Sequence, residues 1–493
     1  MGEGSFLALC VASNGNAEGF AFQRYNFCMY LRSLHLENFA CFDDVLLDFT
    51  DESGEACKWV VLLGENGTGK TNVLRAILAA LGMYSPFEKI KYGTKEGSVI
   101  VKFQVNSKFD ISIKTGNECY LNWRFSAGSG SLSGNIESDI MRRNYNWCFL
   151  AGYGSKRLAN LSAIDYNSDS IRSSTPESRI MSLLGNNQSL VPLKAWLSDL
   201  DYESLKLGEL IADSEERVVQ TIQGIRTIRR TSKKERETAL ARFEEIKNEF
   251  LRGTQSLEMI LPEGAKFSKV TPEKEVIFDY NGDLISIDNL SDGYQSMIGW
   301  VGDLVRHMVR MFPGMENPLL AKGVVLIDEI DIHLHPFWQR TIVKQIRSVF
   351  PNLQFIVTSH SPFVAQDLGD KDKIIVLSNE KNKIIARHEH GFVKGWRASQ
   401  ILTSWLFGLQ TDYDEEIEKK NLERQALGDK KAQWLLTDEE REKLRQVTEY
   451  LDSVRAEPTE TGDELLSADH LDAEAVRSAA SVVLKLLRKV EGK

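Results

Sequence analysis

Long apolar runs that end abruptly in small, acidic or polar residues recur along the chain. Residues 59–63 (WVVLL) precede a glycine-rich turn, residues 324–327 (VVLI) precede two carboxylates, and residues 355–357 (FIV) precede a segment with a histidine. Such runs are typical of strands that are buried on both faces of a parallel sheet. An amphipathic helical pattern over residues 72–81 (NVLRAILAAL) follows the first run. Strands that alternate with helices in this way predict an α/β fold.

The turn after the first run carries the most specific chemical signal. It fits the phosphate-loop pattern G-x-x-x-x-G-K-[ST] at every fixed position. In that pattern, glycines let backbone N–H groups wrap around a phosphate, and the N-terminus of the following helix adds partial positive charge. The lysine reaches the β- and γ-phosphates of ATP, and the last hydroxyl ligates Mg²⁺. The predicted nucleotide-binding residues are Gly64, Glu65, Asn66, Gly67, Thr68, Gly69, Lys70, Thr71 and Asn72.

Two carboxylates, Asp328 and Glu329, follow the second apolar run. Acids at the carboxyl end of a parallel strand lie where ligands bind in such sheets. Asp328 can hold Mg²⁺, directly or through water, and Glu329 can polarise the attacking water as a general base. A core strand that ends in solvated acids would give the same pattern, but the phosphate loop favours the catalytic interpretation.

Two weaker segments complete a set of four motifs. His360 follows the third apolar run and could contact the γ-phosphate, although a surface histidine after a strand would look the same. Ser291 and Gly293 precede an apolar helical segment and could offer donors to an anion, although an ordinary helix cap also favours serine. The stronger indication is the order of the motifs: phosphate loop, Ser-Gly helix start, apolar-Asp-Glu strand and strand-His.

This order resembles the ABC-class ATPase heads of the SMC and RecF group. The resemblance implies that Ser291 and Gly293 form the signature motif, that Glu329 is the catalytic glutamate and that His360 is the switch histidine. It also implies that ATP and Mg²⁺ are bound between two subunits of a homodimer or a higher homo-oligomer. Residues 31–39 (LRSLHLENF) look like the first strand of the group.

Residues 328–336 (DEIDIHLHP) look like the form found in one bacterial subset of this group. That subset includes the overcoming-lysogenization-defect (OLD) nucleases and the anti-phage ATPases of the Septu (PtuA) type. The chain departs from the wider group at Ala40, where many relatives carry Lys or Arg, and at Asp292, which replaces the second glycine of the signature. His333 and His335 could also be metal ligands, but two histidines with no third ligand nearby are a weak signal.

Composition bounds the class of protein. The 493 residues carry a formal net charge of −10, which disfavours unaided coating of nucleic acid. The six cysteines form no C-x-x-C pair, so neither a zinc site nor a disulfide framework is expected and a reducing cytoplasm fits. No run approaches 18 apolar residues, so no membrane contact is expected.

One basic cluster interrupts the acidic chain within a polar stretch, residues 214–251, that has a helical pattern. It is either a solvated helical face or a surface that follows a phosphate backbone. Nucleic acid could therefore be contacted through this cluster or through a partner. The cluster comprises Arg226, Arg229, Arg230, Lys233, Lys234 and Arg236.

The motifs divide the chain into an ATPase head with additions. Alternating patterns at residues 98–125 predict antiparallel strands in the first lobe, and residues 153–157 (YGSKR) resemble the subset's YG-x-x-R strand end, with Lys156 and Arg157 facing phosphate. No sustained heptad repeat occurs, so a short helical arm is expected instead of a long coiled coil. The expected regions are an extension (1–28), ATPase lobe I (29–165), the inserted arm (166–262), ATPase lobe II (263–390) and a helical docking region (391–493).

The resemblance implies a slow ATPase that acts as the regulatory or sensor part of an anti-phage system. The OLD relatives carry a TOPRIM nuclease after the head, but no apolar strand ending in the required carboxylates follows residue 377, and Asp469 and Asp472 lie in a helical pattern. The effector is therefore expected to be a separate protein, a nuclease. Two alternatives stay open: a RecF-like DNA-repair ATPase, and a nucleotide-gated scaffold that hardly hydrolyses ATP.

Overall fold

The computed structural model divides the chain into two units, Met1–Gly408 and Leu409–Lys493. The N-terminal extension expected at residues 1–28 lies outside the described residues. The structure describes residues 29–81, 83, 96–105, 118–126, 129–134, 149–155, 157, 174–185, 190, 193–213, 219–220, 226–227, 233–258, 261, 265–290, 292–313, 315–390, 393–409, 411, 413–432 and 437–455.

The strands and helices alternate along most of the first unit. The described strands are β1 (Met29–Phe39), β2 (Phe42–Asp48), β3 (Trp59–Gly64), β4 (Glu96–Val105), β5 (Glu118–Ser126), β6 (Ser129–Gly134), β7 (Phe149–Tyr153), β8 (Val219–Gln220), β9 (Arg226–Thr227), β10 (Ala265–Val270), β11 (Val276–Tyr280), β12 (Asp283–Ser286), β13 (Gly323–Ile327), β14 (Leu353–Thr358), β15 (Lys373–Glu380) and β16 (Lys383–His390). The described α-helices are α1 (Lys70–Ala80), α2 (Pro176–Ile180), α3 (Leu193–Asp213), α4 (Lys233–Glu258), α5 (Asp292–Met311), α6 (Pro336–Gln339), α7 (Ile342–Val349), α8 (Pro362–Gln366), α9 (Ala398–Leu402), α10 (Glu415–Ala432) and α11 (Asp438–Arg455).

A six-stranded sheet in the order β16-β15-β3-β14-β13-β7 forms the centre of the first unit. Its strands run parallel except β16, which pairs antiparallel with β15. The three apolar runs form β3, β13 and β14, and their apolar side chains are buried. Burial on both faces explains why these strands show no alternation, and the predicted α/β class is confirmed.

A second, antiparallel sheet in the order β2-β1-β4-β5-β6 belongs to the first lobe, as the alternating patterns predict. Residues Leu31, Leu34 and Leu36 of β1 are fully buried in a core shared with α1 and with one face of the central sheet. A second core lies on the other face of the central sheet, where α3, α4 and α5 contribute apolar side chains. Helix α1, which follows the phosphate loop, is thus held between two sheets.

The inserted arm is a pair of packed helices, α3 and α4. A Cβ on Gly253 in α4 would come 2.7 Å from the ring of Trp196, so this glycine permits their close approach. The predicted helical pattern over residues 214–251 is wrong at residues 219–220 and 226–227, where β8 and β9 pair as a two-stranded sheet. Val219 and Thr227 in these strands are β-branched, and such residues favour extended backbone over helix.

The end of the first unit includes residues that the sequence assigns to the docking region. Val393, Ile401 and Leu406 are buried in the same core as the apolar side chains of α5, and Trp396 and Phe407 pack against this core. The second unit holds α10 and α11, which share a small core of Ile417, Val447 and Leu451. Asp469 and Asp472 lie outside the described residues. No helix in the described part of the chain is long and apolar enough to cross a membrane.

Candidate nucleotide-binding site

The phosphate loop joins β3 to α1. Gly64, Gly67 and Gly69 have φ angles of 145°, 83° and 92°, which residues with a Cβ rarely adopt. A Cβ on Gly64 would come 2.3 Å from the backbone oxygen of Leu377, and one on Gly69 would come 2.4 Å from the sulfur of Cys41. At Gly67, no heavy atom of the described residues lies within 4 Å of such a Cβ. The bends of the loop therefore depend on glycine, and its tip is open, as a phosphate cradle requires.

Lys70 begins α1 and is only 7% exposed. Its ammonium donates hydrogen bonds to the backbone oxygens of Gly64 (2.7 Å) and Glu65 (2.8 Å). Burial lowers the pKa of Lys70, while Asp328 and Glu329 oppose that shift. No side chain of the described residues caps the first turn of α1. A buried ammonium beside uncapped helix N–H groups fits the phosphates of a nucleotide.

A hydroxyl and a carboxylate meet beside this lysine. The Thr71 hydroxyl donates to the Asp328 carboxylate, with distances of 2.9 Å to Oδ2 and 3.1 Å to Oδ1. The buried Thr358 hydroxyl, at the end of β14, donates to Oδ1 at 2.7 Å. Mg²⁺ in phosphate sites is usually held by one or two protein oxygens together with phosphates and waters. Thr71 and Asp328 therefore fit a Mg²⁺ ion that binds together with ATP.

The turn that follows β13, residues 328–331, is called here the Asp-Glu turn. Glu329 has a φ of 51°, in the left-handed region. The backbone N–H of Asp328 donates to the Tyr153 oxygen at 2.7 Å, and that of Glu329 donates to the Thr358 hydroxyl at 2.7 Å. The ends of β7 and β14 thus position the two predicted catalytic carboxylates, and the Glu329 side chain is partly exposed.

Arg157 is buried against the backbone of the Asp-Glu turn. Its guanidinium donates to the backbone oxygens of Asp328 (2.5 Å), Glu329 (2.7 Å) and Ile330 (3.3 Å), and the residue is 2% exposed. The prediction that Arg157 faces phosphate is therefore wrong, because a buried guanidinium needs acceptors and the turn supplies three. Lys156 lies outside the described residues.

The predicted signature motif is described only in part. Gly293 lies in the first turn of α5, whereas Ser291 lies outside the described residues. A Cβ on Gly293 would come 3.2 Å from the backbone oxygen of His333. The signature helix therefore starts beside the segment that follows the Asp-Glu turn in the same chain.

The three histidines of this region have different surroundings. His360 is exposed after β14, and its backbone N–H donates to Asp331 Oδ2 at 3.4 Å. His335 accepts the backbone N–H of Phe337 at 3.3 Å and so caps α6, while His333 is exposed. Within the described residues, no group of three or more His, Cys, Asp or Glu is arranged to hold a metal ion.

Two further residues near the site were not singled out from the sequence. Thr358 contacts both Asp328 and the backbone of Glu329, although it lies 30 positions from Asp328. Gln295 in α5 donates to the backbone oxygens of Asp288 (2.9 Å) and Leu290 (2.8 Å) and so holds the loop before the signature. In the sequence, Thr358 was recognisable only as a polar residue directly after an apolar run, and Gln295 only as a polar residue inside the signature segment.

Two family models match the chain. Residues 33–261 match a model described as "AAA domain", and residues 269–365 match one described as "AAA domain, putative AbiEii toxin, Type IV TA system". The first match contains the phosphate loop and Arg157, and the second contains the signature segment, the Asp-Glu turn and His360. The regions that carry the site are therefore the regions that the family models recognise.

Named relatives are similar over most of the chain. The Septu protein PtuA of Bacillus mycoides (strain KBAB4) is 26% identical over 389 residues, which are 77% of this chain and 45% of PtuA. The "Retron Ec83 probable ATPase" of Escherichia coli is 26% identical over 408 residues, 74% of each chain. This chain thus spans less than half the length of that PtuA. Among solved structures, an SMC head bound to the C-winged helix domain of ScpA has a TM-score of 0.43 at 18% identity, covering 73% of this chain and 98% of that one.

Proposed function

We propose that this chain, an SMC/RecF-like P-loop ATPase related to PtuA and to the retron ATPases, binds and slowly hydrolyses ATP at sites shared by two protomers. In this role it regulates a separate effector, a nuclease, in an anti-phage defence system. The observation that carries the ATPase part is the convergence of Lys70, Thr71 and Asp328 at the ends of β3 and β13.

The chemistry follows from groups within one protomer. Lys70 exchanges its bonds to Gly64 and Glu65 for oxygens of the β- and γ-phosphates when ATP enters the loop. Mg²⁺, when bound at Thr71 and Asp328, neutralises phosphate charge. Glu329 accepts the proton of the attacking water, because it follows the Mg²⁺ ligand directly and its side chain is partly exposed.

A second protomer completes the site. The phosphate loop leaves one side of the γ-phosphate open, and a helix start with Ser291 and Gly293 can supply N–H and hydroxyl donors. A two-fold symmetric pair of protomers makes two equivalent sites of this kind. Hydrolysis then depends on pairing, which supports slow turnover by the free protein.

The defence role rests on the names of the relatives and on the net charge of the chain. PtuA is named as a Septu protein, and the Escherichia coli relative is named as a retron ATPase. The net charge of −10 disfavours unaided binding to a phosphate backbone. We therefore place the DNA- or RNA-cutting activity on a partner in the cytoplasm, and ATP state controls that partner.

One experiment tests this proposal in cells. The native locus is placed in a phage-sensitive host in four forms: wild type, Lys70→Ala, Glu329→Gln and the control Lys58→Ala. Lys58 is exposed and lies just before β3, at the opposite end of the strand from the phosphate loop. Wild type and Lys58→Ala should reduce phage plating, and the two site variants should not. Equal protection by all four forms, with equal expression, would remove ATP from the proposed function.

A further inference from the structure

Arg157 is a buried cation that no nucleotide-contact role explains. It is 2% exposed, and among the described residues its guanidinium hydrogen bonds all go to backbone oxygens. Burial lowers its pKa to about 10, although Asp331, Asp328 and Glu329 oppose this shift. The guanidinium is therefore still charged at neutral pH, and these three carboxylates belong to the turn that it contacts.

The backbone that Arg157 contacts is strained. A left-handed φ is sterically unfavourable at a non-glycine residue such as Glu329. Three groups hold the turn in this conformation. The Tyr153 oxygen and the Thr358 hydroxyl accept the N–H groups of Asp328 and Glu329, and Arg157 binds the carbonyls. Both peptide groups that flank the Glu329 side chain are thereby fixed.

We propose that Arg157 is the positioning residue of the catalytic glutamate: its guanidinium clamps the carbonyls of Asp328, Glu329 and Ile330 and so aims Glu329 at the attacking water. The inference rests on the proposed ATPase function, which it deepens. Arg157 does not touch ATP, water or Mg²⁺ in this role, and it acts only through the turn. Thr358 holds the N–H side of the same peptide and is its counterpart.

Arginine is needed because of its geometry and not only because of its charge. A planar guanidinium presents several donors in a fixed fork, whereas lysine places one ammonium at the end of a flexible chain. Lysine at position 157 would keep the positive charge but could not hold three carbonyl oxygens in the same arrangement. A misplacement of a catalytic group by about 1 Å costs about a hundredfold in rate. The proposal therefore predicts a loss of turnover in Arg157→Lys even though charge is conserved.

The test compares Arg157→Lys and Arg157→Ala with wild type in full-length protein. We expect kcat for ATP hydrolysis to fall by about a hundredfold in both variants. The dissociation constant for ATP, measured by calorimetry with Mg²⁺ present, should stay within about threefold, because Lys70 and Thr71 are untouched. Millimolar guanidinium ion should restore part of the kcat of Arg157→Ala, because it can enter the space left by the side chain.

Arg179→Lys is the matched control. Arg179 is also a buried arginine, 1% exposed, and it donates to backbone oxygens of Leu150 and Ser174, away from the Asp-Glu turn. The Arg179→Lys variant should be less stable to heat than wild type but should not show a comparable loss of kcat when folded. Guanidinium should not affect its kcat. A difference between the two arginine sites would separate positioning from general core stability.

The outcomes separate this inference from the proposed function. If wild-type protein does not hydrolyse ATP, the proposed function fails. If wild type hydrolyses ATP and Arg157→Lys keeps its kcat, Arg157 does not position Glu329. Equal losses of ATP affinity and kcat, or loss of folding in both Arg157 variants, would assign Arg157 to stability alone and overturn the inference.

Discussion

The ammonium of Lys70 is held by two carbonyl oxygens of its own loop. ATP can displace these bonds only if its phosphate oxygens bind the ammonium more strongly than the two carbonyl oxygens do. Phosphate oxygens do so because they carry charge, and charge-assisted hydrogen bonds are about twice as strong as neutral ones. We therefore expect the affinity for ATP to depend strongly on this side chain.

Lys70→Ala should abolish ATP binding measurable by calorimetry. The variant removes the only side-chain cation of the loop that the sequence pattern assigns to the β- and γ-phosphates. Lys58→Ala is the matched control and should bind ATP like wild type, because Lys58 lies before β3 at the opposite end of the strand. Wild-type affinity in Lys70→Ala would reject the assigned site.

A buried cluster of three ionisable side chains in α5 predicts an effect of pH on stability. His307 is fully buried, and its Nε2 lies 2.9 Å from Arg306 Nη2 and 3.3 Å from Asp303 Oδ2. Burial and Arg306 lower the pKa of His307 from 6.5 to about 4. The Asp303 carboxyl, whose pKa is lowered by Arg306 against the effect of burial, completes the cluster.

The free energy of unfolding should fall as pH decreases from 6.5 to 4. In that window the unfolded chain binds a proton at His307 and the folded chain does not, which costs up to about 3 kcal/mol. Urea unfolding at several pH values measures this slope. His307→Gln, which cannot titrate, should show a smaller slope than wild type. Parallel curves for both proteins would contradict the assignment.

For single residues, the sequence was informative where the residues of a motif are adjacent in the chain. The phosphate loop and the Asp-Glu pair are contiguous patterns, so the meeting of Thr71 and Asp328 was predictable from residues 64–71 and 328–329. Thr358 and Arg157 act on the same turn from 30 and 171 positions away, counted from Asp328. Only the tertiary fold reveals such partners, because neither residue belongs to a local pattern that specifies its contact.

Among the elements, the helical arm is joined directly to the signature segment. Lys194 in α3 forms a 2.5 Å hydrogen bond with Asp288, just before the predicted signature. Glu249 in α4 accepts hydrogen bonds from Trp196 in α3 and from Arg310 in α5, both at 2.8 Å. Polar contacts thus join the arm to Asp288, before α5, and to Arg310, near the end of α5.

Lys194→Ala should lower kcat while ATP binding is kept. ATP binding is kept because the phosphate loop lies on other elements, whereas the signature segment loses its hydrogen bond to the arm. A coupling of about 0.5–2 kcal/mol corresponds to a decrease in kcat of roughly 2- to 30-fold. Asp288→Asn should give a similar loss, and the double variant little more. Arg387→Ala, which removes an exposed ion pair with Glu380, is the control. Additive losses at Lys194 and Asp288 would contradict the coupling.

The arm also shows where element prediction from sequence fails. Helical spacing predicted α3 and α4, but a short two-stranded sheet separates them. Strands of two residues carry too little pattern to be recognised against a polar helical background. The sequence likewise assigned residues 393–408 to a docking region, whereas Val393, Ile401 and Leu406 pack into the second core of the first unit.

On the scale of the whole molecule, the purified chain should not cut DNA or RNA with Mg²⁺ and ATP. After β13 and β14, the remaining described strands, β15 and β16, carry no Asp-x-Asp end of the kind that a TOPRIM nuclease needs. Incubation with plasmid, single-stranded DNA and RNA measures this directly. Robust Mg²⁺-dependent cleavage that is lost in an Asp469→Ala, Asp472→Ala double variant would place the nuclease in this chain.

The nucleotide should change how the chain holds its effector. ATP can shift an equilibrium between two conformations only if it binds them unequally. Glu329→Gln should retain ATP and Mg²⁺ binding while hydrolysis slows by roughly a hundredfold, the scale of a lost general base. Co-purification of the effector with this variant should therefore differ from that with the nucleotide-free wild type. Wild-type turnover in Glu329→Gln would identify another base.

Shared sites between two protomers are the central claim, and mixed dimers test them most directly. Lys70→Ala and Ser291→Arg chains, each inactive alone, are mixed in equal amounts. In each mixed dimer one site carries both lesions and the other carries neither, so random pairing should restore about a quarter of the wild-type ATPase activity. No recovery, despite mixed dimers demonstrated by two affinity tags, would contradict the account.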